Sequence, residues 1–200
     1  MYNLDNIRRL HIELSSRCNA SCGACSRNLS GGPVVPELKL EDLSLDDIKQ
    51  MFSDDSIAPN LHFINYCGNV GDPVMAPDIL GILEYFQSVN KTGNLFQQVR
   101  TNGGMRNEEF WKNIGTFFKT QQQRHRPPAD AKMFLQSGVV FSVDGLEDTN
   151  HLYRRGVKWE KLFANMQAYA STGARALWEF LIFEHNQHQI EEARALAKSM

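Results

Sequence analysis

The chain has 200 residues, 42% of them apolar, which is enough for one domain with a substantial core. A formal charge of −2 excludes nucleic-acid binding by general electrostatics, so no specific nucleic-acid partner is expected. No apolar run reaches the roughly 18 residues of a membrane span, and the N-terminal residues lack the basic and apolar blocks of a signal peptide.

Strand-like and helix-like segments alternate along the whole chain. In residues 10–14, Leu10, Ile12 and Leu14 alternate with His11 and Glu13, which predicts a first strand. Ser44 reads as a helix N-cap, with Asp46 and Asp47 in the first turn and Leu45, Ile48, Met51 and Phe52 as the apolar stripe. Residues 61–66 form the second predicted strand. Pro77 suits the first turn of the next helix, whose buried face is Ile79, Leu80, Leu83, Phe86 and Val89. Residues 95–100 are the third strand, and Asn107 caps a helix that buries Phe110, Trp111, Ile114, Phe117 and Phe118. Residues 121–132 are polar, with two prolines and several basic residues, and read as an exposed loop. The β-branched run at 139–143 is the fourth strand. A helix over 159–171 is closed by Gly173, a fifth strand covers 177–183, and a helix with Ile190, Ala193, Leu196 and Ala197 on one side follows.

Five strand–helix repeats with parallel crossovers predict an α/β fold. A Rossmann-type sheet needs a glycine-rich turn after its first strand, and cysteines stand there instead. The expectation is therefore a partial (β/α) barrel of the TIM type, with its chemistry at the C-terminal ends of the strands.

Three of the four cysteines, Cys18, Cys22 and Cys25, fall at C-x3-C-x2-C spacing just after the first strand. Structural zinc and ordinary iron–sulfur clusters take four protein ligands. Three thiolates without a local fourth point to a cluster with one open iron. Two other readings stand beside it: zinc completed by His62, His125 or His151, or plain reduced thiols. Clustered cysteines in a chain of this size do not look like a disulfide framework, so a reduced, cytoplasmic location is expected.

This spacing resembles the signature of the radical S-adenosylmethionine (radical SAM) enzymes. The elements after the later strands strengthen the likeness. Gly71, Asp72 and Pro73 resemble the family's Gly-Glu-Pro, with Asp for Glu; Thr101, Asn102 and Gly103 resemble its Thr-Asn-Gly turn. Ser142, Asp144 and Gly145 resemble its Ser-x-Asp-Gly, followed by Arg154 and Arg155. The closest likeness is to the barrel domain of the peptide- and protein-modifying (SPASM-type) branch.

The resemblance implies that Cys18, Cys22 and Cys25 hold a [4Fe–4S] cluster whose fourth iron chelates S-adenosylmethionine. It implies that Gly71 and Asp72 bind the amino group, and that Ser142 with Arg154 or Arg155 binds the carboxylate or ribose. Asn102 and Asp144 belong to the same cofactor-binding set, and Asn186 is expected to contact adenosine. The implied activity is reductive cleavage of S-adenosylmethionine to a 5′-deoxyadenosyl radical, which abstracts hydrogen from a small molecule or a peptide side chain. An electron donor such as flavodoxin or ferredoxin is the implied partner. A non-catalytic zinc or iron–sulfur scaffold on the same fold is the alternative from another class.

The chain also departs from the family pattern. Ala24 stands where an aromatic usually precedes the third cysteine. The family barrel has six repeats, so residues 1–200 are expected to be a core domain lacking the sixth repeat and any C-terminal auxiliary cluster domain. The fifth strand would then be an open edge, marking either a fragment or a partner-covered surface. The resemblance leaves Cys67 outside the metal set, as a small buried residue after the second strand.

Overall fold

The computed structural model describes residues 3–52, 57–124 and 136–200. Strands β1 (Arg9–Ile12), β2 (Phe63–Tyr66), β3 (Phe96–Thr101), β4 (Gly138–Ser142) and β5 (Ala176–Glu179) form one sheet in the order β1-β2-β3-β4-β5. Every neighbouring pair is parallel. A doubly wound sheet reverses its strand order at a switch point. Here each strand adds beside the one before it, which is how a (β/α) barrel wall grows.

The connecting helices are α1 (Leu45–Met51), α2 (Ile79–Val89), α3 (Glu108–Arg124), α4 (Asn150–Tyr153) and α5 (Trp159–Ala170), and α6 (Ile190–Ser199) follows β5. Their apolar stripes meet the outer face of the sheet. Ile12, Ile64, Tyr66, Val99 and Phe141 are buried there against Phe86, Trp111 and Leu162. The other face is polar. By register His11 lies beside Asn65 and Asn65 beside Gln98, while Ser142 lies beside Glu179. No helix among the described residues is long and apolar enough to cross a membrane.

The helix signals act as expected. Ser44 and Asp47 form a reciprocal capping box, Ser44 Oγ accepting from Asp47 N (3.1 Å) and Asp47 Oδ2 from Ser44 N (2.8 Å). Asn107 Oδ1 accepts from Phe110 N at 3.0 Å, and Gly173 takes φ 71° beyond α5.

Several boundaries differ. Pro77 lies outside α2, whose N-cap is Asp78. The polar run expected to be a loop begins as helix: α3 continues to Arg124, and buried Gln121 donates to Gln87 Oε1 at 2.5 Å. The rest of that run, with His125, lies outside the described residues. Strand β5 stops at Glu179 because Leu181 N donates to Asp144 Oδ1 (2.7 Å) instead of to a ladder. Leu181 and Ile182 are consequently exposed. The four-residue α4 was too short to leave a periodic signal in the sequence.

In α1 only part of the expected stripe is buried. Ile48 is fully buried, whereas Met51 is 59% exposed. Ile48→Ala should cost about 2–5 kcal/mol, and Met51→Ala less than about 0.5 kcal/mol. Urea denaturation midpoints of the two variants check this; equal losses would contradict the orientation of α1.

Candidate metal and cofactor site

Directly after β1 the chain turns through the cysteine loop, which distant segments hold in place. Ser15 Oγ and Arg17 Nε both donate to Asp42, at 2.5 and 3.0 Å. Within the loop, Cys25 N donates to Cys22 O and Asn28 N to Cys25 O, both at 3.1 Å. Ser21 N reaches across to Arg155 O at 2.8 Å, tying the loop to the turn after α4. Gly156 in that turn has φ 89°, and a Cβ on it would press on Asn19 O, so the close approach needs glycine.

Cys18, Cys22 and Cys25 line a cleft of about 440 Å³ at the C-terminal ends of the strands. That volume is of the size of a small-molecule site, roughly 300–1,000 Å³. The expected residues Gly71, Asp72, Asn102, Ser142 and Arg154 line the same cleft. The segments at the C-terminal ends of four successive strands, β1 to β4, therefore deliver the sequence-selected groups to one place.

The donor set discriminates between the two metal readings. In tetrahedral zinc two thiolates stand about 3.8 Å apart. Among the described residues the only His/Cys/acid triple with all ligand atoms within 4.8 Å is His11, Glu13 and Cys67, so the sulfurs of the loop are spread more widely than that. His62 and His151 do not join them. The three thiols of the loop therefore do not form a closed mononuclear zinc site.

The electrostatics around the thiols are mixed. Burial, followed by the charge of Asp72, pushes Cys18 up to about 11. Burial also raises Cys22, against the lowering effect of Arg154, whose Nη1 donates to Cys22 Sγ at 3.8 Å. Thiols raised in this way must shed protons to ligate a metal, so loading is favoured at higher pH.

Asp72 is 3% exposed, and its carboxylate is already engaged. Val74 N donates to Oδ1 at 3.1 Å, while Thr101 Oγ1 and Asn102 N donate to Oδ2, both at 2.9 Å. Burial raises its pKa and these bonds oppose the rise. Of about four acceptor positions on a carboxylate, three are filled. Asp72 is thus a brace as well as a wall of the cleft. Asn102 passes the constraint on: its Nδ2 donates to Asn19 Oδ1 at 2.9 Å and to Cys18 Sγ at 3.5 Å.

The two arginines separate clearly. Arg154 points into the cleft, its Nε donating to the fully buried Asp144 at 2.6 Å. Arg155 instead lies on the outside of the cysteine loop, with Nη1 donating to Gly31 O at 3.4 Å. Asp144 does not face the cleft; it orients Arg154. Asn186, expected to contact adenosine, does not line the cleft. It is fully buried, its Nδ2 donating to Asp144 O and Leu181 O and its Oδ1 accepting from Phe183 N, so its side chain braces the turn after β5.

Cys67, at the C-terminal end of β2, lines the same cleft as the cysteine loop, half-buried rather than fully buried. The sequence reading missed the polar inner face altogether, including Arg100, whose Nη1 donates to Glu179 Oε1 at 2.5 Å. The available signal was the polar alternate position of each strand. It also missed Arg27, buried under the loop with Nε donating to Ser16 O at 3.0 Å, for which no local pattern exists.

Gly71 is where the second loop crosses the first: a Cβ there would overlap the Ser15 carbonyl. Gly71→Ala should cost at least about 1–3 kcal/mol by overpacking. Gly23, with nothing within 4 Å of its Cβ position, should accept alanine within about 0.5 kcal/mol. Chemical denaturation of the two variants tests this; comparable stability would refute the crossing.

No protein-family model and no curated protein matches the sequence. Solved structures do. Hexahistidine-tagged anSMEcpe with bound AdoMet is similar at TM-score 0.66 and 15% identity, over 96% of this chain and 46% of that one. Native anSMEcpe with bound AdoMet and Cp18Cys peptide gives 0.57 and 16%, over 86% and 42%. Methylornithine synthase (PylB) gives 0.54 and 12%, over 97% and 51%. The chain thus spans about half the length of these structures. At such identities the likeness is one of fold: five parallel strands in sequential order, as in a partial (β/α) barrel. The chain shares its (β/α) barrel-type fold with these structures.

Proposed function

We propose that the chain is the core of a radical SAM enzyme, with Cys18, Cys22 and Cys25 holding a [4Fe–4S] cluster. The observation that carries this reading is the convergence of the three thiols and Arg154 on one cleft at the C-terminal rim of a sequentially ordered parallel sheet. When bound there, the cluster and S-adenosylmethionine together supply one-electron C–S cleavage and hydrogen-atom abstraction from substrate.

The residues of the chain divide the work of binding. Arg154, held by Asp144, offers a guanidinium to the carboxylate of S-adenosylmethionine. Ser142, at the end of β4, offers a hydroxyl to the carboxylate or ribose. The amino group is assigned to the Gly71–Asp72 turn, through the remaining acceptor position of Asp72. Asn102 fixes the position of Cys18 beside it. Asp144 and Asn186 act beneath this layer as braces. The substrate is a small molecule or a peptide side chain, and a flavodoxin or ferredoxin delivers the electron.

Arg154→Ala should weaken S-adenosylmethionine binding about ten- to a hundredfold, the loss of one charge-assisted bond, while iron and sulfide content stay unchanged. Arg155→Ala should change affinity less than about twofold, given its exposed position. Titration calorimetry on the anaerobically reconstituted protein measures both. Cys18→Ala, Cys22→Ala and Cys25→Ala should each lose iron, sulfide and 5′-deoxyadenosine formation. A colourless, zinc-loaded wild-type protein would overturn the assignment in favour of a scaffold.

A further inference from the structure

We propose that His11, Glu13 and Cys67 form a second metal site, binding a single zinc-class divalent ion beside the cysteine loop. One ligand atom from each lies within 4.8 Å of the other two, which no other such triple among the described residues achieves. His11 Nε2 stands 3.1 Å from Glu13 Oε1. Donors around tetrahedral zinc are about 3.3–3.8 Å apart, so only a small spreading is needed to admit the ion.

The backbone accounts for the convergence. His11 and Glu13 are two residues apart in an extended segment and share its inner face. Cys67 follows β2, and its N donates to Ile12 O at 3.2 Å, which sets it between them. Asn69 then orients the donors. Its N donates to both carboxylate oxygens of Glu13, at 3.1 and 2.9 Å, and its side-chain amide stands 3.4 Å from His11 Nε2. Outer groups that fix a ligating carboxylate in this way are a regular feature of metal centres, and the contact of the Asn69 side chain with Nε2 is the one the ion would replace.

The donor types agree with the ion. Imidazole, carboxylate and thiolate together suit zinc, whereas calcium or magnesium would call for oxygens alone. A hydrogen-bonded His–Glu pair alone would have no use for a thiol at the same point. Three protein ligands leave a fourth position open, the pattern of catalytic rather than structural zinc. Cys67, Gly68 and Asn69 line the cleft, so that position adjoins the space facing the three-cysteine loop. Asn69 bridges the two centres, its carbonyl oxygen 4.0 Å from Cys25 Sγ. The open position would take an oxygen or nitrogen donor of the substrate and anchor it in the cleft.

This site stands whether or not the cysteine loop carries iron. The test is equilibrium dialysis of the full chain against zinc after anaerobic iron–sulfide reconstitution, followed by elemental analysis. Wild type should retain about one zinc per chain. His11→Ala and Cys67→Ala should each lose it with iron and sulfide unchanged, and the milder Glu13→Gln should weaken it at least about tenfold. Cobalt substituted for zinc should give a thiolate charge-transfer band that disappears in Cys67→Ala. No zinc in the wild type, or zinc kept by Cys67→Ala and lost with Cys18→Ala, Cys22→Ala and Cys25→Ala, overturns the proposal. Absent iron with zinc retained would instead count only against the iron–sulfur reading.

Discussion

Asp72, through its carboxylate and its backbone N, ties the ends of three strands together. Buried charge is costly unless hydrogen bonds satisfy it, and the donors come from its own turn after β2 and from Thr101 and Asn102 at the end of β3. Its backbone N donates to Arg17 O (2.8 Å) in the loop after β1. The loops after β1, β2 and β3 thus meet at one residue. Asn102, positioned by that contact, reaches Cys18 directly. The geometry of the cysteine rim is therefore set from below, by a group that needs its donors as much as they need it.

A second, parallel device stands on the far side of the cleft. Asp144 is fully buried, holds Arg154 through Nε, and accepts Leu181 N on its other oxygen. Asn186 closes the arrangement by donating to Asp144 O. One carboxylate thus orients the cationic wall of the site and turns the chain out of β5. Both braces occur just where parallel strands leave their ladder, and there backbone and side-chain groups alike must find partners locally.

How much of this was legible in the sequence depended on the range of the interaction. Ser44, Asn107 and Gly173 act within a few residues, and each helix end they mark is observed. The strand–helix alternation gave the parallel sheet, and the cysteine spacing located the rim. Side chains whose role depends on a partner far along the chain were read less well. Arg154 and Arg155 are adjacent in sequence and face opposite ways, which only the docking of the turn after α4 decides. Asn186 and Asp144 look like site residues by position, yet their polar atoms are engaged in bracing. Met51 fits the helical stripe of α1 and is left exposed, while Leu45 and Phe52 contact the α2 segment through Asp78 and Phe86. The polar face of the sheet was hidden for a simpler reason. Alternation distinguishes two faces but does not say whether the polar one meets solvent or lines a cleft.

The clamp on the cysteine loop has a consequence for biogenesis. Arg154 and Cys22 are 132 residues apart in sequence; Asp42, Asp72 and Asn102 hold the start of the loop, but Cys22 gains its partner only when the segment after β4 arrives. Closing so long a separation is entropically costly and comes late in folding. During vectorial synthesis the three thiols would emerge from the ribosome on the order of ten seconds before their clamp, at roughly 5–20 residues per second. Over that interval they are open to oxidation or to capture by the wrong ion. Under the proposed function, loading of the cluster would be coupled to completion of the fourth β/α unit, and the redox state during translation would bear on how much of the protein matures.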